Sequence, residues 1–504
     1  MKNSLNREIP DGLKPFQSSS DFRHQERRLI PEKSPVDQSL FYPSLEAAFL
    51  AMDIKPGMTL SFHHHLRSGD QVINQVGELI SKYDIKGLTL APSSIFPEYR
   101  LSDLIIRQNI TQIVTSYLNG PVADTIAKGH LAGELIMQTH GGRARAIESG
   151  ELAIDVAFLA CPVVDKSGNG SGAYGKSACG TLGYACSDWR YAKKVILVSD
   201  TLVDKLDSYQ LDHSHVDGVV MVDSIGDPAG IVAGTTKITR DPIGLKIAED
   251  TATLLTELGV IRNGFSMQTG AGGTSLAVAD AVKKVMLKNQ VKGKFASGGI
   301  TGYYVDMLNQ GLFEHLYDVQ CFDLEAVESY HKNKNHIGIS ASEYGNPFEN
   351  KSAVDRLDFV ILGATEIDLD FNVNVTTDAF GKIIGGSGGH ADTAHGAKIT
   401  IITSTLTKAR IPIIREKVRT ITTPGSDVDI LVTERGIAIN PLRTDLLEKL
   451  SHSRLKIMTI RELLDLTYAI AGKPKEIPSG KKRIGYLEYR DGSVIDSLYD
   501  SPLY

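Results

Sequence analysis

Short apolar runs alternate with longer amphipathic segments along the whole chain. The runs are rich in β-branched residues and end at turn-forming or charged residues, which predicts strands. The clearest of them cover residues 195–200, 218–223, 399–404 and 428–433. Segments 245–258 and 275–287 carry apolar residues three and four positions apart, which predicts helices. Such alternation is typical of an α/β fold with largely parallel, buried sheets.

The two halves of the chain repeat part of this pattern. Asp155–Asp165 aligns with Asp358–Asp368 at a shift of 203 residues, and two weaker matches keep their order at nearly the same shift. These matches predict a pseudo-duplication, with two similar domains that meet near residues 235–250. We therefore predict an irregular N-terminal arm over 1–45, a first domain over 46–240 and a second domain over 241–504. Within the second domain, Ile484–Tyr489 is expected to form a final strand.

Composition narrows the class of protein. Of 504 residues, 42% are hydrophobic and 23% are charged, and the net charge is −6, so a basic nucleic-acid-binding domain is not expected. The N-terminus has no apolar segment of the kind that signal peptides carry, and no apolar run is long enough to span a bilayer. We therefore expect a cytoplasmic protein without membrane contact. The four cysteines form no C-x-x-C pair, so neither a metal site nor a redox dithiol is predicted.

One carboxylate has a distinctive setting. Glu366 follows the apolar run 359–362, and the matched position in the first half is Val163. Open α/β sheets place ligands at the carboxyl ends of their strands, and partial burial makes a carboxylate more basic and more nucleophilic. Glu366 is therefore the catalytic candidate. The alternative is a capping or salt-bridged glutamate at a strand end.

Two glycine-rich segments lie in the same half as Glu366. One covers 268–274, directly before a predicted helix, and the other covers 385–389. Bare backbone amides there could approach a carbonyl, a phosphate or a thioester. The candidates for an oxyanion and carrier-arm site are Gly270, Gly272, Gly273, Gly385, Gly386, Gly388 and Gly389. The alternative is a pair of ordinary tight turns. Neither segment is a P-loop or a dinucleotide-binding fingerprint.

A cluster of histidine and arginine residues marks the first half. In an extended segment His63 and His65 share one face and His64 opposes them, so one metal ion could not bind all three. Together with Arg67, and with Arg143 and Arg145 further on, the cluster could hold a polycarboxylate through charge-assisted hydrogen bonds. Solvated or structurally paired charges are the alternative.

These motifs carry a family resemblance. Segments 363–377 and 385–397 resemble the acyl-CoA transferase family, in which a catalytic glutamate at a strand end precedes a glycine-rich loop. Many members have Asn-Gly after that glutamate, whereas this chain has Ile367-Asp368. More closely, SFHHHLRSGD (61–70), GSGAYGKSACGTLGYACSD (170–188) and TTPGSDVDILVTERGIAINP (422–441) are similar to α subunits of citrate lyase. That resemblance extends from near residue 20 almost to the C-terminus.

The resemblance implies two CoA-transferase-like domains and a reaction. A carrier-bound acetyl thioester and citrate would give a citryl thioester and acetate. It implies a homo-oligomer in complex with a citryl-lyase β subunit and an acyl-carrier γ subunit, whose phosphopantetheine arm, or acetyl-CoA, supplies the thioester. No tightly bound cofactor is implied. Glu366 could attack the thioester covalently, or citrate could attack it directly. A CoA-ester hydrolase, an acetate CoA-transferase and a non-catalytic carrier-docking scaffold are the rival functions.

Overall fold

The computed structural model describes residues 1–17, 27–31, 40–232, 237–270, 272–349, 351–475 and 477–501. In chain order the first half contains β1 (Phe41–Tyr42), α1 (Leu45–Ala51), β2 (Thr59–Phe62), α2 (Val72–Lys82), β3 (Leu88–Pro92), α3 (Ser102–Ile106), β4 (Ile110–Thr115), α4 (Pro121–Ala127), β5 (Leu135–Met137), α5 (His140–Ser149), β6 (Val156–Ala160), β7 (Val163–Asp165), β8 (Gly170–Ser171), α6 (Cys186–Tyr191), β9 (Lys194–Ser199), β10 (Leu202–Val203) and β11 (Gly218–Met221).

The second half begins with α7 (Pro242–Glu257), β12 (Ser266–Thr269), α8 (Gly273–Asn289), β13 (Gly293–Ile300), α9 (Gly302–Asn309), β14 (Phe313–Cys321), α10 (Leu324–Lys332), β15 (His336–Gly338), α11 (Ala341–Gly345), β16 (Phe359–Leu362), β17 (Glu366–Asp368), β18 (Val373–Asn374) and α12 (His390–Gly396). It continues with β19 (Thr400–Thr403), β20 (Thr407–Lys408), β21 (Ile411–Pro412), β22 (Ile414–Arg415), β23 (Ile430–Val432), β24 (Ile437–Ile439), α13 (Thr444–Lys449), β25 (Ile457–Met458), α14 (Ile460–Ala471), β26 (Arg483–Glu488) and β27 (Val494–Tyr499).

Two large sheets form the frame, and both are mainly parallel. The first has the order β1-β11-β9-β6-β2-β3-β4-β5-β26-β27, and only its last pair is antiparallel. The second has the order β15-β14-β13-β12-β16-β19-β23-β24-β25, with one antiparallel pair, β23 and β24. The α/β prediction with largely parallel sheets is confirmed. The four predicted strand runs are β9, β11, β19 and β23, and the two predicted helices are α7 and α8.

Local sequence signals explain where the two predicted helices begin. At the start of α7 the Asp241 side chain accepts a hydrogen bond from the Ile243 N–H, and Pro242 is the first helical residue. Helix α8 begins directly after Gly272, so the glycine-rich segment becomes its N-terminal turn. The two helices pack against each other, and the largest cluster of buried hydrophobic residues continues from the first half into the second. The halves therefore share one core.

The repeated halves make equivalent hydrogen bonds at the matched aspartates. Asp155 and Asp358 each accept a backbone N–H from the start of a neighbouring strand, at 2.8 and 2.9 Å, and a lysine ammonium, at 2.7 and 2.9 Å. Asp165 and Asp368 each accept the N–H of the asparagine four residues later, at 3.0 Å in both cases. The contacts therefore agree with the alignment of the two segments.

The C-terminal hairpin corrects the predicted end of the second domain. Strand β26 pairs in parallel with β5, so Gly485 lies opposite Leu135 in the first sheet rather than in the second. The predicted final strand exists, but it belongs to the other sheet. The N-terminal arm covers this hairpin, because the Asn3 side chain donates to the carbonyls of Val494 and Ile495 at 3.1 and 2.7 Å. Both chain ends thus extend the first half.

Within the described part of the chain, no helix combines the length and the apolar character that crossing a bilayer requires.

Candidate active site

A cavity of about 500 Å³ lies where the two halves meet. Its walls come from the turns after β12 and β16, from the 385–389 loop, and from Tyr117, His140 and Tyr184 of the first half. The volume falls within the range of roughly 300–1,000 Å³ that is usual for small-molecule sites. Both glycine-rich segments predicted from the sequence therefore border the same space.

Parallel strand pairing explains why the two turns are neighbours. Strands β12 and β16 lie side by side, with Thr269 opposite Ile361, so their carboxyl ends reach the same edge of the sheet. The Gly270 N–H donates to the Ile361 carbonyl at 2.9 Å and fixes the first turn. The 385–389 loop is held by the first half instead, since the His140 N–H donates to the Gly388 carbonyl at 2.8 Å.

The glycines of the cavity divide into two groups. A Cβ on Gly386 would lie 2.5 Å from the Ser116 carbonyl oxygen, and one on Gly385 would lie 2.6 Å from the Val375 carbonyl oxygen. Packing alone requires glycine at these positions, and the Tyr344 hydroxyl excludes a side chain at Gly389 in the same way.

The second group has no steric reason to be glycine. A Cβ on Gly270 would lie 3.6 Å from the Ser275 hydroxyl and 3.8 Å from the Ile361 carbonyl oxygen, both ordinary contact distances. One on Gly272 would lie 3.9 Å from the Ser275 hydroxyl, and one on Gly363 would meet nothing within 4 Å. All three residues line the cavity, so their lack of a side chain keeps space open inside it. The two remaining glycine candidates belong to neither group. Gly273 is the first residue of α8, and the Gly388 carbonyl accepts a hydrogen bond from the His140 N–H.

Glu366 lies beside the cavity rather than on its wall. Thr365 and Ala364 line the cavity, whereas the Glu366 side chain is buried among polar partners. Its Oε1 accepts from Arg415, whose Nε and Nη2 lie 3.0 and 2.9 Å away. Its Oε2 accepts from the Asn374 amide at 3.0 Å and from the Arg419 N–H at 2.9 Å. These contacts fit the salt-bridged alternative better than the catalytic prediction.

The face of the histidine cluster that is turned toward the cavity is not the one expected to bind citrate. His63 and His65 do share a face, with ring centroids 5.3 Å apart. However, the His63 Nε2 hydrogen-bonds to the Ala160 carbonyl at 2.8 Å, and the His65 Nδ1 contacts the Asp70 carboxylate. Burial lowers the pKa of His63 to about 3, with His65 as a further cause, so this ring is neutral. These contacts argue against His63 and His65 as citrate ligands, which stay a prediction.

His64 is the histidine of the cluster that points toward the site. Its ring stacks on that of Tyr184, a residue of the cavity wall, with centroids 4.7 Å apart. Its Nδ1 hydrogen-bonds to the Ser93 hydroxyl at 2.7 Å, and the Gln320 amide donates to its carbonyl at 2.6 Å. Because its ring stacks on Tyr184 and its Nδ1 is held by Ser93, His64 supports the Tyr184 side of the cavity.

Arg67 is a cation held between aromatic rings. Its guanidinium carbon lies 4.2 Å from the ring centroid of Phe322, which lines the cavity, and 5.7 Å from that of Phe96. Burial lowers the pKa of Arg67, although an arginine stays charged at neutral pH. Among the described residues, none forms a hydrogen bond with its buried Nη1. A desolvated guanidinium nitrogen without a protein acceptor is suited to an anionic ligand.

Arg143 and Arg145 differ from Arg67 in that each donates to a protein carboxylate. Both lie on α5 and are buried. Arg143 donates to both carboxylate oxygens of Asp188, at 2.9 and 3.0 Å, and to the Ser61 hydroxyl at 2.7 Å. Arg145 donates to Glu151 at 2.7 Å. Because protein carboxylates already pair with them, these two arginines are weaker candidates than Arg67, and their citrate contacts stay a prediction.

The family described as "Citrate lyase, alpha subunit (CitF)" matches residues 38–501, which is most of the chain. The chain belongs to the citrate lyase α-subunit family. The sequence-based resemblance to that family is thereby confirmed.

Relatives of this citrate lyase family match over nearly their whole length. The citrate lyase alpha chain of Haemophilus influenzae is 44% identical over 458 residues, which cover 90% of this chain and 92% of that one. The citrate lyase alpha chain of Klebsiella pneumoniae is 42% identical over 493 residues, covering 97% and 96% of the two chains.

Solved structures agree with the citrate lyase fold. A Streptococcus mutans structure of the α subunit of citrate lyase in complex with citrate has 41% sequence identity and a TM-score of 0.96, and the match covers 99% of this chain and 100% of that one. A 4-hydroxybutyrate CoA-transferase from Porphyromonas gingivalis has 17% identity and a TM-score of 0.54, covering 85% and 93% of the two chains. The second likeness concerns the fold alone, and it confirms the CoA-transferase-like architecture.

Several residues of the citrate lyase cavity were missed by the sequence analysis. They are the polar and aromatic side chains of its walls, namely His140, Tyr184, Gln268, Tyr344 and His390. One signal was available, since His140 follows strand β5 within three residues and strand ends in α/β sheets face ligands. Tyr184 and Tyr344 lie outside strands, so no periodicity in the sequence pointed to them.

Proposed function

We propose that this chain is the transferase subunit of a citrate lyase complex. It exchanges the acyl group of a carrier-bound acetyl thioester for that of citrate, giving a citryl thioester and acetate. One observation carries this proposal: the Arg67 guanidinium, with its buried Nη1 unpaired among the described residues, packs on the wall of a cavity that both glycine-rich segments border. An anion-binding guanidinium next to glycine backbone suits a site where a polycarboxylate reacts with a thioester.

The exchange balances without an added reactant. A citrate carboxylate oxygen attacks the acetyl carbonyl carbon, and the carbon–sulfur bond breaks. The carrier thiolate departs, and an acetyl-citryl anhydride is formed. The thiolate then attacks the citryl carbonyl carbon, and the carbon–oxygen bond breaks to release acetate. No proton is gained or lost overall. Holding both reactants in one cavity is worth roughly 7–11 kcal/mol of the barrier.

Arg67 is the proposed citrate anchor. A guanidinium can bind a carboxylate through two parallel hydrogen bonds, and such charge-assisted bonds are about twice as strong as neutral ones. Burial between the Phe96 and Phe322 rings strengthens the attraction further, because water no longer screens the charge. Citrate has three carboxylates, so one can bind Arg67 while another reacts.

Gly270, Gly272 and Gly363 are proposed to leave room for the pantetheine arm of the carrier. Their open sides face the cavity, and packing gives no other reason for glycine there. The thioester would arrive on the phosphopantetheine arm of an acyl-carrier γ subunit, or as acetyl-CoA. A β subunit would then cleave the citryl thioester. We place this complex, with more than one copy of the chain, in the cytoplasm.

Glu366 is assigned a supporting role, which favours direct attack by citrate over a covalent glutamyl intermediate. Both oxygens of its carboxylate already accept hydrogen bonds from protein donors. Its contacts join strand β17 to Asn374 of β18 and to the 415–419 segment. Glu366 therefore stabilises the turn that carries Gly363, Ala364 and Thr365 along the cavity.

The test is an acyl-exchange assay on the purified full-length chain. Acetyl-CoA is supplied with citrate, acetate and water as competing acceptors, and the thioester products are separated by chromatography. Citryl-CoA as the main product supports the proposal. Exchange into acetate alone would identify an acetate CoA-transferase, and hydrolysis alone would identify a thioesterase. A chain that does neither, even with acetylated carrier protein, would be a docking scaffold.

A further inference from the structure

Two histidines line the cavity, and both are uncharged at neutral pH. Burial lowers the pKa of His140 to about 3, with the Arg143 charge as a second cause, and burial lowers that of His390 to about 4. A neutral imidazole carries one N–H donor and one acceptor nitrogen. Each ring could therefore present a hydrogen-bond donor to a ligand, provided that the protein does not already occupy it.

The two rings differ in that respect. The His390 Nδ1 hydrogen-bonds to the Thr423 hydroxyl at 2.8 Å, and its Nε2 hydrogen-bonds to the Gly363 carbonyl at 3.0 Å. For His140, the ring Nδ1 is fully buried and has no hydrogen-bond partner among the described residues. His390 is thus committed to the scaffold, whereas His140 is not.

The His140 ring is nevertheless held firmly. It packs against the Tyr184 ring with centroids 4.5 Å apart, and the His64 ring lies on the same side at 6.2 Å. Its backbone N–H donates to the Gly388 carbonyl at 2.8 Å, which fixes the residue relative to the 385–389 loop. Thr139 caps the helix that starts with His140, since its side chain accepts the Gly142 N–H. An unoccupied donor in a fixed position is preorganised for a ligand.

We propose that His140 is a catalytic residue that donates a hydrogen bond to the acyl carbonyl oxygen while the thioester is under attack. This inference rests on the proposed function. When the carboxylate or the thiolate adds to the carbonyl carbon, an electron pair moves onto that oxygen, and it returns when the leaving group departs. The imidazole keeps its proton throughout and only donates, so neither step needs an acid or a base.

The choice of an N–H donor follows from the charge pattern of the site. A protonated histidine beside the buried Arg143 would suffer repulsion, and burial disfavours its charge as well. A neutral donor avoids both costs and still strengthens its bond as the oxygen becomes negative. Neutral imidazoles serve this purpose in other enzymes.

The test compares three forms of the full-length chain: wild type, His140→Phe and His140→Asn. Phenylalanine keeps the ring that packs on Tyr184 but removes the donor, and asparagine restores a donor. The kcat and the KM values for citrate and acetyl-CoA are measured, together with the melting temperature. Wild-type exchange into citrate is the condition for the comparison, and its absence would refute the proposed function itself.

We expect His140→Phe to lower kcat about 100-fold, the lower end of what losing one oxyanion donor costs, while both KM values stay within threefold. His140→Asn should recover at least tenfold of that loss. The inference is overturned if His140→Phe keeps kcat within threefold or if asparagine recovers nothing.

Discussion

Replacing Glu366 by glutamine separates a catalytic carboxylate from a structural one. Glutamine keeps an oxygen for the Arg419 N–H and the Asn374 amide, but its NH₂ group then faces the Arg415 guanidinium, donor against donor. Removing one partner of a buried ion pair costs about 3–5 kcal/mol. The Arg415 side chain is 14% exposed and that of Glu366 is 2% exposed, so we expect a value near the lower end, about 3 kcal/mol.

A second substitution should reverse the loss. In the double variant Glu366→Gln/Arg415→Met both charges are absent, so no buried cation lacks a partner. We expect the double variant to be more stable, by at least ~1.5 kcal/mol, than the sum of the two single destabilisations predicts. This coupling energy lies within the range found for residues in contact. The assay combines urea-induced unfolding with citrate-dependent acyl exchange at a low temperature where all variants are folded. Arg415→Met alone completes the cycle.

The kinetic outcome distinguishes the two roles. If Glu366 only supports the turn beside the cavity, exchange should return in the double variant to within tenfold of wild type. If its carboxylate attacks the thioester, all variants without it should lose at least 1,000-fold in kcat, on the order of what removing a nucleophile costs. A stable, inactive double variant would therefore refute our assignment, and a coupling below about 0.5 kcal/mol would refute the energetic reasoning.

Three further predictions use matched positions in the same chain. Arg67→Ala should raise the citrate KM at least tenfold without changing the acetyl-CoA KM. Arg143→Met should lower the melting temperature and leave the citrate KM unchanged. Equal effects of the two variants on the citrate KM would contradict the assignment of Arg67. Gly363→Leu should raise the acetyl-CoA KM at an unchanged melting temperature, because a side chain there meets only open space. Gly386→Ala should instead lower the melting temperature, because its Cβ would contact the Ser116 carbonyl. A Gly363→Leu chain with a normal acetyl-CoA KM would remove that glycine from the arm site. Acidification from pH 7 to 5 should lower the free energy of unfolding, because the unfolded chain takes up protons near pH 6.5 at histidines whose folded pKa values are about 3, 3 and 4, namely His63, His140 and His390. Each contributes up to about 1.4 kcal/mol per pH unit in that window, and urea midpoints that do not change between pH 7 and 5 would contradict this.

Hydrophobic patterning was enough to predict the secondary structure that frames the site. The runs at 195–200 and 399–404 became β9 and β19, because each is a short β-branched segment that only a buried sheet can satisfy. Patterning did not reveal the partner of the last strand. Strand β26 looks like any other apolar run in the sequence, and its pairing with β5 depends on which sheet edge is free in three dimensions.

Candidate chemistry was predicted by residue type, and orientation decided which candidates reach the cavity. The 63–65 segment shows this clearly. The alternation of a strand predicts that His63 and His65 share a face and that His64 opposes them, and the rings are arranged in this way. The sequence contains no information on which face meets the second half. Packing of Tyr184 against His64 settled that question in favour of the unexpected side.

The sequence by itself determined the class of fold, the two glycine-rich turns and the family, since all of these depend on residues close together along the chain. Only the tertiary structure decided which charged side chains are free. Arg67 and Arg143 are the same kind of residue, but Asp188 neutralises Arg143 from 45 positions further along the chain. Glu366 is likewise engaged by Arg415, 49 positions away. A charge becomes available to a ligand only when folding brings no partner to it, and that depends on contacts between distant segments.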